Sequence, residues 1–74
     1  MFYIKSLVFG LVADATRRKD GELQVRYTFE VRHAKAYMTI TGARRMARLL
    51  GCGHVVISYE EAQHEEEIHH AKTD

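Results

Sequence analysis

Residues 23–33, Leu23-Gln24-Val25-Arg26-Tyr27-Thr28-Phe29-Glu30-Val31-Arg32-His33, decide the fold class. Leu23, Val25, Tyr27, Phe29, Val31 and His33 alternate with Gln24, Arg26, Thr28, Glu30 and Arg32. A period of two is that of a strand with one face buried and the other wet. Asp20-Gly21 stands just before it, a strong hairpin signal. Upstream, Phe2 to Ala13 is rich in aromatic and branched residues. Two strands are therefore expected to pair antiparallel around a loop at Asp14–Glu22. In the first strand Phe2 and Ile4 share one parity, and Leu7, Phe9 and Leu11 the other. Either a bulge near Ser6 brings all five to one face, or the strand is buried on both sides.

Downstream, Ala34-Lys35-Ala36 breaks the pattern and Tyr37 to Thr41 reads as a short third strand. Thr41 can cap a helix in which Ala43, Met46, Ala47 and Leu50 form an apolar stripe at i, i+3, i+4 and i+7. Gly51 is a natural left-handed stop. Arg44, Arg45 and Arg48 lie off the stripe. Val55, Val56 and Ile57 form a fourth strand. Ser58-Tyr59-Glu60-Glu61 matches a capping box and opens a last helix. Its acidic residues come early and His69, His70 and Lys72 late, which complements the helix dipole. Tyr59, Ala62, Ile68 and Ala71 make no apolar stripe, so this helix is expected on the surface or projecting from it. The expected fold is α+β: a small antiparallel sheet of three to four strands packed on one short helix, in the order β-β-β-α-β-α, with an acidic C-terminal helix. The expected core is Phe9, Leu11, Val25, Tyr27, Phe29, Val31, Met46, Leu50, Val55 and Ile57.

Seventy-four residues with 46% apolar content suffice for one small domain. Its longest apolar run, Leu7 to Ala13, is too short for a bilayer span and reads as strand rather than leader. Cys52 has no second cysteine to pair with, which suits a reducing, cytoplasmic setting.

Charge is divided along the chain. Residues 1–59 hold ten Lys/Arg against four Asp/Glu, a net +6, and read as a compact domain with a basic surface. Residues 60–74 hold one Lys against six Asp/Glu, a net −5, and read as an acidic, His-rich helix or tail. Such opposed halves point to binding of something charged.

Catalytic chemistry finds little support. Cys52 with His33 or His54 could make a nucleophile and base, but no orienting third group or oxyanion donor accompanies them. Glu61, Glu65 and His69 share a helix face, with Glu66 and His70 beside them. Metal sites built from such spacings need several converging helices. No enzyme activity, cofactor or resident metal is expected.

Binding remains. Open sheet edges invite strand addition or a homodimer. Glu60, Glu61, Glu65, Glu66 and Glu67 offer an acidic surface to a basic protein partner, such as a nucleic-acid-handling complex. The alternative is direct DNA or RNA binding through Arg17, Arg18, Arg26, Arg32, Arg44, Arg45 and Arg48. The element order over residues 1–51, three strands and one helix, resembles the arm-binding domains of phage-type integrases. In size and element order the whole chain resembles small inhibitor proteins of phages and mobile elements, including anti-CRISPR proteins. That resemblance implies a stoichiometric inhibitor of a nucleic-acid-handling machine. No membrane partner is expected.

Overall fold

A computed structural model describes residues 1–73, with side chains through His70. Four strands and two helices follow one another as β1 (Phe2–Ser6), β2 (Gly10–Arg17), β3 (Leu23–Thr28), α1 (Ile40–Leu50), β4 (His54–Ser58) and α2 (Tyr59–Thr73). The sheet is antiparallel throughout, in the order β3-β2-β1-β4. The α+β class and the order β-β-β-α-β-α are those expected, but three early segments fall differently.

Phe2 to Ala13 is two strands, not one. The parity switch that suggested a bulge is a chain reversal. The Ser6 hydroxyl accepts the N–H groups of Val8 and Phe9, which fixes the turn. Gly10 completes it with φ 98°, and a Cβ there would lie 3.0 Å from both the Phe29 ring and the Thr28 carbonyl. The bulge sits later, between Val12 and Asp14.

The strand expected over 23–33 ends at Thr28. The Thr28 hydroxyl accepts the N–H of Glu30, and Val31–His33 form a single 3₁₀ turn. The third strand expected over 37–41 is a single bridge, in which Phe2 and Tyr37 exchange two backbone hydrogen bonds of 2.8 Å. Its cause is a gap. β1 and β2 pair only at Lys5↔Leu11 and Ser6↔Gly10 and then diverge. Residues 35–37 fill the space, and the Lys35 N–H donates to the Val12 carbonyl at 3.0 Å. Backbone groups that β2 would have satisfied are satisfied by this insert instead. The helix cap also moves. Thr39, not Thr41, accepts the Gly42 N–H through its side chain, so α1 starts two residues early.

A helix covers each face of the sheet. On one face Ile4, Val12 and Ala47 are buried, with Val25, Tyr27, Met46, Leu50 and Val56 packed around them. Ile4 and Val12 are the largest fully buried side chains, each contributing about 1.5–3 kcal/mol of hydrophobic stabilisation. On the other face lie Tyr3, Leu11, Val31, Ile57 and Ala62. Of the expected core, Leu11, Val31 and Ile57 are buried, while Val25, Tyr27, Met46 and Leu50 are half-buried. Phe9, Phe29 and Val55 are exposed, because the first lies in the β1–β2 turn and the second beyond the end of β3. Tyr3, Ile4, Val12, Ala43, Ala47 and Ala62 take their place in the core.

The second helix lies against the sheet rather than projecting from it. Ala62 is fully buried, Lys5 pairs with Glu65, and Glu66 accepts the Val31 N–H. The His69 ring stacks on Phe29 with centroids 3.8 Å apart and planes within 2°. Ser58 caps this helix as expected: the Glu61 N–H donates to the Ser58 hydroxyl, which donates in turn to the Glu61 carboxylate rather than leaving that carboxylate to the Ser58 N–H.

Candidate functional site

The five carboxylates expected to meet a partner divide by location. Glu61 closes the cap, Glu65 binds Lys5 and Glu66 holds the Val31 N–H. Glu60 and Glu67 are exposed. Counting round the helix from buried Ala62, they share the outermost stripe with His64.

The arginines are divided by the sheet itself. Val25 and Tyr27 face α1, so Arg26 points to the opposite face, where it pairs with Asp14 at 3.6 Å. Arg32 follows Val31 in the 3₁₀ turn and pairs with Glu30 at 3.3 Å. Arg17 and Arg18 lie at the far end of the β2–β3 hairpin, where the Arg17 guanidinium donates to the Gly21 carbonyl. Arg44, Arg45 and Arg48 are exposed on the outer side of α1. Only this last group forms a stripe on one element. The hairpin is nearly neutral, since residues 14–26 hold four Lys/Arg against three Asp/Glu.

The histidines and the cysteine do not converge. His33 binds Glu30 at 2.8 Å. His54 is a structural tether, with Nε2 2.9 Å from the Tyr27 hydroxyl and Nδ1 3.3 Å from the Gly51 carbonyl. Cys52 is exposed in the α1–β4 loop. Among the described residues, no three His, Cys, Asp or Glu side chains cluster as metal ligands. Glu65 and His69, which share a helix face in the sequence, are committed to Lys5 and Phe29.

The residues that sequence reading missed are apolar. Leu7, Val8 and Phe9 are 65%, 76% and 59% exposed on the β1–β2 turn. Phe29 and Ile68 are exposed too, and they share a shallow cleft with Leu7 and Val8, between the turn and residues 65–69 of α2. The turn is braced by the Leu7 N–H, which donates to the Gly53 carbonyl at 2.8 Å, and by Phe9 against Tyr27 at 5.2 Å. Turns of this kind are normally built from polar residues. The flanking Ser6 and Gly10 carried a turn signal, but the apolar run between them read as strand.

One buried polar group stands apart. The Tyr37 hydroxyl has no hydrogen-bond partner among the described residues. Burial, and then the charge of Asp14, raise its phenol above the ordinary value of 10.0.

Among the described residues no helix is long and apolar enough to cross a membrane. No protein-family model, curated protein or solved structure matches the chain.

Proposed function

We propose that the chain is a non-catalytic protein-docking module whose contact surface is the apolar turn Leu7-Val8-Phe9, flanked by Phe29 and Ile68. The observation that carries this reading is three consecutive large apolar side chains held in solvent on a braced turn. Single exposed apolar residues are ordinary, but a contiguous patch on a rigid element marks an interaction surface. Phe29, which shares the cleft with Leu7 and Val8, is the natural anchor, since aromatic side chains dominate interface energetics.

The partner follows from what borders the patch. Ile68 is next to Glu67, which lies on the acidic outer stripe of α2. A complementary surface has an apolar recess rimmed by Lys and Arg. Proteins that grip nucleic acid carry cationic rims of this kind. A stoichiometric inhibitor of such a protein acts by occupancy and needs no catalytic group. With this reading goes a cytoplasmic setting, where the exposed Cys52 thiol stays reduced.

The test is a quantitative pull-down from the source cells with three baits: the wild-type chain, Val8→Asp, and the pair Glu60→Lys with Glu67→Lys. Val8 is largely exposed, so circular dichroism should show its variant folded. The expected outcome is a partner held in near-equal amount by wild type, lost by Val8→Asp and reduced at least several-fold by the charge-reversed pair. Identical protein sets on all three baits would sink the idea.

A further inference from the structure

The outer stripe of α1 is a second surface, on the opposite face of the sheet from α2. Arg44, Arg45 and Arg48 are exposed there, and among the described residues they make no ion pair. Surface arginines on helices commonly have a carboxylate one turn away. None is available here, because residues 31–59 contain five Lys/Arg and no Asp or Glu. Thr41 lies on the same stripe and is exposed. Three guanidiniums offer donors only, with no acceptor among them. Such a surface is complementary to a line of negatively charged acceptors.

A net charge of +1 would give little long-range attraction to a polyanion if it were spread evenly. The fold prevents that. α1 and α2 pack on opposite faces of the sheet and turn their outer stripes away from each other, in a molecule whose smallest extent is 21 Å. The screening length at physiological salt is about 8 Å. The acidic helix therefore does not cancel the field of the basic one. The described aromatics that are exposed, Phe9, Phe29 and Tyr59, lie on the β1–β2 turn, beyond β3 and at the start of α2. None projects from α1. Single-stranded nucleic acid is normally held by stacking on exposed rings, so a duplex backbone fits this face better.

We propose that Arg44, Arg45 and Arg48 of α1 contact the phosphate backbone of a nucleic-acid duplex, with the Thr41 hydroxyl as an added donor. Arg and Thr are the residue types that make such contacts, which position a protein without reading bases. The proposal is independent of the apolar turn. A chain that docks on a nucleic-acid-handling protein through one surface would meet that protein's substrate through the other.

The experiment is a fluorescence-anisotropy titration of a labelled duplex, and of a single strand of equal length, across a salt series. Three phosphate contacts predict a slope of log affinity against log salt of about −2.7, or roughly 40-fold weaker binding between about 50 and 200 mM salt. Replacing the three arginines by glutamine should abolish duplex binding, and replacing them by lysine should restore most of it. The variant Arg17→Gln with Arg18→Gln and Lys19→Gln, and the variant Val8→Asp, should bind the duplex as wild type does. The last of these separates this proposal from the docking reading, since Val8→Asp must lose the protein partner and keep the duplex. Three results would overturn the inference: no duplex binding at low salt, preference for the single strand, or loss with the hairpin-tip variant rather than the α1 variant. Retention of an acidic protein on the α1 arginines with no duplex binding would reassign the stripe to a protein.

Discussion

α1 and α2 flank the same sheet and are held to it by different forces. Burial fastens α1. Ala43 and Ala47 are buried on its inner face, Met46 and Leu50 pack beside them, and Thr39 and the positive-φ Gly51 close its ends. Specific contacts fasten α2 around Ala62, its one fully buried side chain among the described residues. They are the Lys5 to Glu65 pair, the Glu66 carboxylate on the Val31 N–H, and His69 on Phe29. A helix thus needs no apolar stripe to dock, provided that its polar side chains find partners at the right heights. Each helix turns a charged face outward, basic for α1 and acidic for α2, so the sheet separates the two charges that the sequence places in succession.

Two adjacent residues of β1 separate the two modes of attachment. Ile4 is fully buried under α1, and Lys5 pairs with Glu65 of α2. Ile4→Ala should lower stability by about 3 kcal/mol through lost burial and a residual cavity. Lys5→Ala should cost less than about 1 kcal/mol, because its ion pair is partly solvated. Urea denaturation of both variants tests the difference, and equal losses would mean that α2 is held as firmly by charge as α1 is by burial.

A smaller effect should follow at Glu66. Removing its carboxylate leaves the Val31 N–H without its partner, which costs about 1–2 kcal/mol. Hydrogen exchange in Glu66→Ala should speed up at Val31 and along α2, while α1 keeps its protection. Uniform acceleration across both helices would show that they open as a unit.

The smallest change should be a gain. Tyr37 packs on the α1 side with an unsatisfied hydroxyl, so Tyr37→Phe should stabilise the fold by up to about 1 kcal/mol. The sign of the pH effect follows from the raised phenol. A group that ionises less readily when folded contributes fully below its unfolded value of 10.0, and that contribution fades as pH climbs through the higher folded value. Thermal melts above pH 10.0 should therefore fall more steeply for wild type than for Tyr37→Phe.

What was legible in the sequence was local. The α1 stripe, the Ser58 cap and the β4 run Val55-Val56-Ile57 each carry their signal within a few residues, and each is found where the sequence places it. What was not legible depends on distant partners. The strand at 23–33 stops at Thr28 as Phe29 leaves the sheet for His69 and the Val31 N–H is taken by Glu66, both residues of α2. Tyr37 loses its strand because the gap it fills lies between β1 and β2. For the candidate surfaces, the identity of the arginines could be read from the chain, but their separation onto opposite sheet faces follows only from strand pairing. The apolar turn was hidden by its own composition, since Leu7, Val8 and Phe9 have the residue types of a buried strand.

The position of β1 in the sheet has a consequence for how the molecule is made. It is an inner strand, bonded along one edge to β4, with Phe2 opposite Ser58, and along the other to β2 and Tyr37. During synthesis β1 leaves the ribosome long before β4, whereas β2 and β3 can close on each other at once. The middle of the sheet is therefore the last part to be completed. Until Ser58 is out, Tyr3 and Ile4 have neither their β4 neighbours nor α2, and the nascent chain carries an apolar strand with an open edge. Completing the sheet then waits on the β1–β4 pairing, whose long sequence separation favours slower folding than local hairpins alone. Both helical layers are assembled on the same late-closing centre.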